Sequence, residues 1–514
     1  MGFTDLNRTK KTLGADNVQI AGPNSTFGEV LTAQLTPVAQ GDFVFSINNQ
    51  VFNTSEFAGG TVNVVEGQCE LDSGTSASGS ATVQLRRGLK YRPGQGSVMK
   101  ATAVFSEPDA GNAQFVGAGT SECGYFIGYF GTNFGILHSI SGSREIRRLD
   151  ITTGAGTEDV TVTLNGYSKV VPVTGASSPE QTAYQLALAD YGDLGTGGWL
   201  ADAQSGSVYF ISARSSADLT NSYSVSSGGS IAGTFTRVVE GEAQSNDFIP
   251  SASFNVDKMD GTGPTGMTLN PQNGNVYQIA FQYLGYGNAD FFIENPDTGH
   301  PAMVHRIKNA NNRTTPVLKN PNLNVLATSA NIGGTTTKKL KTASMGAYIE
   351  GKVVPLDPKF SKSFTFASVD TSNVYRPLAA FKANRVFNDQ SCFGEVDFLE
   401  VRGANLAGSS TPRTLTVAFF LNAEITGEVN FQYVDEENSV VSYAALNPGT
   451  GGNTLVNVAN LTPLYEFVVG AGAGVTRNVA DLSFAFGIGN VVTMAIRTSA
   501  GLAGQAGITW FEQQ

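Results

Sequence analysis

The sequence predicts an all-β protein built from β-sandwiches, with a small inserted α+β unit and a second, C-terminal β-sandwich. Three observations carry that prediction. Apolar and polar residues alternate over short runs such as Ser97–Phe105, Gln114–Ala118 and Tyr125–Tyr129, the period-two signature of half-buried strands. Turn formers punctuate those runs, with 60 Gly and 19 Pro in 514 residues. Charged residues make up only 15% of the chain, against roughly 25% in an average soluble domain, while 32 Phe supply bulk for sheet cores.

Taken in order, residues 1 to about 40 are polar, with Phe3 and Phe27 as their aromatics. Burial of so little apolar surface cannot offset the entropy of ordering the chain, so this segment reads as an extended arm gripped by a neighbouring subunit. Two β-like runs follow, DFVFSINNQVF and GGTVNVVEG, completing an N-terminal region of arm and strands over 1–82. Residues 83–149 form consecutive antiparallel strands, and the same Gly–aromatic rhythm resumes over 245–352. The two stretches together are expected to make one discontinuous sandwich. The intervening 150–244 is a ββα-type insertion, which a sandwich tolerates where the inserted ends leave close together. Its helix has a capping-box start, with Ser178 as N-cap, Pro179 in the first turn and Gln181 three residues on. The apolar side of that helix is Ala183, Tyr184, Leu186 and Ala187. From 353 to 514, β-like runs at roughly 8–15-residue spacing separated by Asn, Pro and Gly predict the second sandwich or barrel.

Charge and cysteine content narrow the function. A net charge of −11 with 32 basic residues spread along the chain opposes nucleic-acid binding, which needs clustered cations on phosphates. The densest basic spot, Thr336–Lys341, reads as an exposed strand or loop. Cys69, Cys123 and Cys392 are far apart and odd in number, so they make no disulfide framework. The start MGFTDLNRTKK has no apolar core of a signal peptide, and Leu6 stands where a myristoylated Gly2 would need Ser or Thr. No apolar run reaches 18 residues. Synthesis in a cytoplasm without a secretion route is expected.

Several groupings carry chemistry on paper. Asp72–Ser73–Gly74 and Asp297–Thr298–Gly299 mimic the paired D-[ST]-G of aspartic proteases. Pro296 directly before the second Asp breaks the apolar strand such a loop needs, so both read as turns. His138, His300 and His305 read as unconnected residues rather than a metal set. Asp257, Asp260, Asn270, Asn273 and Asn275 offer oxygens of the kind calcium takes, but without EF-hand spacing. Gly-rich strings such as VVGAGAGV precede no helix, which removes a phosphate cradle, and no G-x-S-x-G elbow is present. Glu395-Val-Asp397-Phe-Leu-Glu400 resembles the E-x-D-x-x-E of laminarinase-type retaining β-glucanases, in which a bulged strand brings both glutamates to one face. Strict alternation would instead separate Glu400 from Glu395 and Asp397.

The strings LKYRPGQGSVMKATAVFS, GYFIGYFGTNFGI, FIPSASFNVDKMDGTGPTGMTLNPQNGNVYQIAFQYLGYGNADFFIENPDTG and ASMGAYIEG, with NRVFNDQSCFGEVDFLEV and VNFQYVDEENSVVSY further on, resemble virion structural proteins of marine tailed phages and large double-stranded DNA algal viruses. The resemblance spans about 85–514, most weakly in the insertion. It implies concanavalin A-like, jelly-roll sandwiches in a fibre, spike or capsid-surface component located on the virion. The implied partners are further copies of the chain (three, if it is a fibre), other virion proteins and host-surface glycans. Nucleic acid and a membrane span are not among them. The expected role is structural and non-enzymatic, with no catalytic, metal or cofactor residues. The alternatives are a laminarinase-type hydrolase using Glu395 and Glu400, or a stand-alone carbohydrate-binding module. Loops Glu107–Asn112 and Thr120–Gly124, with their turn residues and flanking aromatics, are the expected glycan contacts.

Overall fold

The computed structural model describes residues 34–120, 122–195, 198–215, 219–352, 359–367, 369, 373–392, 395–406, 414–457, 460–479, 485–498 and 502–512. The N-terminal arm before residue 34 lies outside them. The described chain is almost entirely β, in sandwiches with one inserted α+β unit.

The first nine strands are β1 (Leu35–Asp42), β2 (Phe52–Phe57), β3 (Thr61–Val65), β4 (Gln68–Asp72), β5 (Ser80–Leu85), β6 (Ser97–Phe105), β7 (Asn112–Gly119), β8 (Gly124–Phe130) and β9 (Asn133–Ser143). The inserted unit holds β10 (Ile146–Thr153), β11 (Gly156–Leu164), β12 (Tyr167–Ala176), α1 (Pro179–Leu188), β13 (Trp199–Gln204), β14 (Ser207–Ser212), β15 (Ser224–Ser227) and β16 (Ala232–Val239). The sandwich resumes with β17 (Glu242–Pro250), β18 (Asn275–Phe281), β19 (Ala289–Asn295), β20 (His300–Ile307), β21 (Asn324–Asn331), β22 (Lys339–Thr342) and β23 (Ser344–Glu350).

Seven strands form one antiparallel sheet in the order β17-β9-β8-β7-β21-β5-β2. Nine form the facing sheet, in which β6 pairs with β18 on one side and with β22 and β23 in succession on the other. Alternation fills the space between them: Val83, Met99, Val116, Ile127, Tyr277, Phe291 and Val325 point inward and are buried. At the centre the Phe105 ring meets Tyr129, Phe134 and Tyr277 edge-on, centroids 5.8–5.9 Å apart, the arrangement the ring quadrupoles favour.

Two boundaries differ from the sequence reading. Strands β1–β5 belong to the two sheets, so the sandwich begins at Leu35 rather than at residue 83. The reason is visible in Phe52, Leu71 and Val83, alternating residues that all enter the one core. The insertion begins after Ser143, because the strand with Arg147 and Arg148 pairs with β14 and β16 rather than with the sandwich. Its two ends are neighbours: β9 and β17 are antiparallel partners, with Ser143 opposite Glu242. Glu145 fastens this neck, its carboxylate 2.7 Å from Arg147 Nε and accepting from Arg237 Nε at 3.2 Å and Gly241 N at 2.7 Å.

Within the insertion, β11 and β12 join through Asn165 and Gly166, both at positive φ (50° and 85°), as a tight hairpin of right-handed strands needs. In α1, Ser178 Oγ accepts from Gln181 N at 3.3 Å, while Gln181 Oε1 accepts from Ser177 N at 2.8 Å. Ala183 and Leu186 are fully buried against the inserted sheets, with Tyr184 and Ala187 partly so. Tyr184 also meets Phe431 of the C-terminal unit, centroids 5.9 Å apart.

The C-terminal unit is a second sandwich. A six-stranded sheet centred on Arg376–Ala383, Val491–Thr498 and Leu415–Leu421 faces a five-stranded one centred on Glu395–Asn405 and Gly504–Glu512. Phe381, Phe398, Phe419, Met494 and Trp510 fill its core. It is tied to the insertion by a buried ion pair, Lys382 Nζ to Asp202 Oδ1 at 2.7 Å. Asp202 Oδ2 also accepts from Arg385 N at 2.8 Å and Gln204 Nε2 at 2.7 Å.

Candidate functional site

The outward face of the seven-stranded sheet carries a groove of about 450 Å³. Its floor is set by strand parity. Because Val83, Val116, Ile127 and Val325 face the core, their neighbours Thr82, Gln84, Phe115, Phe126, Leu326 and Thr328 face out and line it. The aromatic part is built by glycines. Phe126 lies opposite Gly117 in the β7–β8 hairpin. A Cβ at Gly117 would come within 2.6 Å of the Phe126 ring, and one at Gly119 within 2.1 Å. Two side-chain-free positions thus let the ring lie across β7, beside Phe115 at 6.2 Å, and both rings are buried in a small cluster with Leu326, Leu137 and Phe248. Around this apolar patch stand hydroxyls and amides: Thr82 and Thr328, hydrogen-bonded to each other at 2.8 Å, with Ser55, Ser139, Gln84 and Gln244.

One wall comes from the insertion. Arg214 reaches over the sheet, donates to Ser80 Oγ at 2.6 Å and stacks on the Phe57 ring at 5.4 Å. Desolvation by the surrounding walls pushes its pKa down, although the side chain keeps contact with solvent. At the other end Gln84 and Thr120 also line a second cavity, of about 230 Å³. Arg86, Arg144 and Arg385 line it together with Asn53, Asn324 and Asn490. A separate cleft of about 380 Å³ lies between β1 and the C-terminal unit, against Leu421, Leu464 and Tyr465.

The two loops expected to hold a glycan sit at opposite ends of β7. Thr120 lines the groove and the second cavity, and its Oγ1 accepts from Glu122 N and Cys123 N at 3.1 and 3.2 Å. Ser121 lies outside the described residues. Glu107–Asn112 closes a turn at the far end, Gly111 N donating to Asp109 Oδ1 at 2.9 Å. About 3.4 Å per residue along the eight residues of β7 separates the loops too widely for one small ligand.

The strand Glu395–Asn405 corrects one expectation. Its register against Gly504–Glu512 shifts between Phe398 and Glu400. Since Val396, Phe398 and Val401 all enter the core, this bulge returns Glu400 to the face of Asp397, where strict alternation would have separated them. The side chain of Glu395 lies outside the described residues. Glu400 is exposed, but Asp397 is buried beneath the sandwich, with Arg87 Nη2 at 2.6 Å and Lys90 Nζ at 3.2 Å.

The remaining candidates take structural positions. Asp257 accepts from Met259 N, Thr265 N and Thr265 Oγ1 at 2.7–3.0 Å. Asp260 accepts from Thr262 N, and Asn275 Nδ2 donates to the carbonyls of Asn270 and Asn273. His138 is fully buried, donates from Nε2 to Val317 O at 2.9 Å and stacks on Tyr125; burial pushes its pKa down to about 4. His305 accepts at Nδ1 from Asn255 N, and His300 is exposed at the start of β20. Among the described residues no three His, Cys, Asp or Glu gather as a metal set, the three cysteines form no disulfide, and no helix is long and apolar enough to cross a membrane. Asp72 and Asn295 accept turn hydrogen bonds from Gly74 N and Asp297 N, so both D-[ST]-G strings are turns.

No family model matches the chain, and no curated protein matches it. Solved structures do. The metal-free carbohydrate recognition domain of Emp46p is 8% identical, covering 61% of this chain and 96% of its own, with a TM-score of 0.24. The exoplasmic/lumenal domain of VIP36 with Ca²⁺ and Man3GlcNAc is 9% identical, covering 63% and 92%, at 0.22. Arcelin-5, a lectin-like defence protein from Phaseolus vulgaris, is 8% identical, covering 61% and 99%, at 0.22. At that degree of superposition these likenesses carry no functional argument.

Proposed function

We propose that this chain is a non-catalytic, glycan-binding structural protein of a virion surface. Its ligand lies in the groove on the outer face of the seven-stranded sheet. The observation that carries the reading is the groove on the outer face of this sheet, where the Phe126 ring, seated on Gly117 and Gly119 and itself only 8% exposed, is fringed by outward hydroxyls and amides. A pyranose offers an apolar C–H face and a ring of hydroxyls. An apolar floor with a few placed polar groups is the complement of that shape. The virion setting rests on the sequence resemblance.

Binding rather than hydrolysis is supported by the position of Asp397, whose carboxylate is paired with Arg87 and Lys90 beneath the sandwich. A glycan array probed with the full chain tests the groove. Binding is expected, and Thr328→Trp, which fills the floor from an outward position, should abolish it; binding untouched by that substitution sinks the assignment. Release of reducing sugar from β-glucans, lost in Glu400→Gln, would replace this reading with the hydrolase. Immunogold labelling of intact particles tests the virion location, and mass measurement in solution tests self-assembly, a lone monomer counting against it.

A further inference from the structure

The cavity at the end of the groove collects positive charge from three parts of the chain. Arg86 follows β5 of the sandwich, Arg144 starts the insertion and Arg385 belongs to the C-terminal unit, yet all three line the same 230 Å³. Arg144 is only 8% exposed. Glu122 pairs with it, Oε1 at 3.6 Å from Nε. Asp202, the carboxylate that acts on Arg385, already pairs with Lys382 at 2.7 Å. Arg144 and Arg385 are close enough to repel each other, and burial holds the pKa of all three guanidinium groups down. Cys392 adds no negative charge, because burial pushes its thiol pKa up to about 12; the carboxylate of Glu512 acts on that thiol, and Arg86 Nε donates to Asn49 O.

The cavity is shaped for these side chains. A Cβ at Gly489 would fall 2.3 Å from Arg385 Cζ, so the missing side chain leaves the guanidinium room to lie against the backbone. Bringing three like charges together in a partly buried cavity is unfavourable in proportion to the charge left over after Glu122 pairs with Arg144, and guanidinium is the group that grips oxyanions through paired N–H donors. In a chain of net charge −11 the concentration runs against the general field. Gln84 and Thr120 line both the groove and this cavity, so the two adjoin at those side chains.

We infer that the glycan is acidic: a sugar's carboxylate or sulfate ester sits among Arg86, Arg144 and Arg385 while the neighbouring residues of the glycan lie along the sheet. This rests on the groove reading and adds the ligand class to it. The test is calorimetry of the full chain with three tetrasaccharides of one backbone length: an oligogalacturonate, a sulfated galactan fragment and its desulfated counterpart. At least one acidic form should bind tenfold or more tightly than the neutral one, with an affinity that falls as salt rises. The carboxylate and sulfate arms separate the two sources of the anion. Arg385→Gln should collapse the acidic-over-neutral preference to near one, Arg385→Lys should restore part of it, and Arg86→Gln repeats the measurement should Arg385→Gln fail to fold. Equal affinity for acidic and neutral forms, or a preference that survives both glutamine variants, overturns the acidic assignment and leaves the groove standing. No binding of any oligosaccharide overturns both. Protection against heating by inorganic sulfate, lost in Arg385→Gln but without any glycan binding, overturns the glycan and identifies an oxyanion site alone.

Discussion

Asp202 is where the insertion and the C-terminal unit are locked, and removing it has a size that can be worked out. Its side chain is 3% exposed and that of Lys382 8%, with 2.7 Å between charges. At an effective dielectric of about 20 the attraction is about 6 kcal/mol, much of it offset by a desolvation cost of several kcal/mol for each ion. The intact pair is therefore close to neutral for stability, whereas half of it is not. In Asp202→Ala, Lys382 stays buried over the Phe431 ring and must either remain charged or give up its proton. Deprotonation at pH 7 of a group whose ordinary pKa is about 10.4 costs about 5 kcal/mol, which caps the lysine's share of the penalty. A loss of about 3–5 kcal/mol is expected. Lys382→Met should cost less, about 2 kcal/mol, because Asp202 keeps Arg385 N and Gln204 Nε2. The double variant should then lie well short of the sum, with a coupling energy of at least about 2 kcal/mol. Urea unfolding followed by near-UV dichroism, with the transition of the C-terminal unit fitted separately, reads each corner of the cycle. Single effects that simply add would refute the claim that this pair is what joins the two units.

His138 makes a pH prediction. Its folded pKa of about 4 lies below the ordinary 6.5, so the unfolded chain takes up a proton first as pH falls. Stability from this residue is complete above about pH 6.5 and is lost towards pH 4, by about 3 kcal/mol in total; His138→Gln should flatten that part of the pH–stability curve. Gly119→Ala drives a Cβ into the Phe126 ring, which should cost about 1–3 kcal/mol and weaken glycan binding. In a Phe126→Ala background the stability cost should fall below about 1 kcal/mol, measured by the same unfolding assay. Glu145→Ala leaves Arg147 and Arg237 at the neck of the insertion without this carboxylate; a loss of about 3–5 kcal/mol and faster hydrogen exchange across residues 144–241 are expected.

Much of the architecture is legible in the sequence because it is local. Alternation marks β5–β9, Asn165-Gly166 marks a hairpin, and Ser178, Pro179 and Gln181 mark the start of α1. The aromatic of the groove also left a readable trace: Gly117 and Gly119, two apart on one strand, stand across a short turn from Phe126. What periodicity cannot show is a bulge, and one extra residue at Leu399 reversed the facing of Glu400. Nor can it show the arginine cavity. Residues 86, 144 and 385 meet only because the insertion leaves and re-enters through adjacent strands and the C-terminal unit docks on it. Strand membership before residue 83 was equally hidden, since β1 pairs with β23 more than 300 residues away by the register Leu35–Glu350.

That last pairing bears on how the protein carries load. β1 and β23 run antiparallel, with Leu35 opposite Glu350 and Asp42 opposite Ser344, so the chain enters and leaves the sandwich at the same corner. A pull between residue 34 and the C-terminal unit would open this ladder from one end, breaking its rungs one after another rather than shearing them together. The sandwich would thus yield first by shedding β1 at low force. Tension on the opposite pair of points, across the neck at Ser143 and Glu242, would likewise peel β9 from β17. Both places where the chain itself passes between the sandwich and its neighbours have the geometry of zippers, so they are expected to give way before the core.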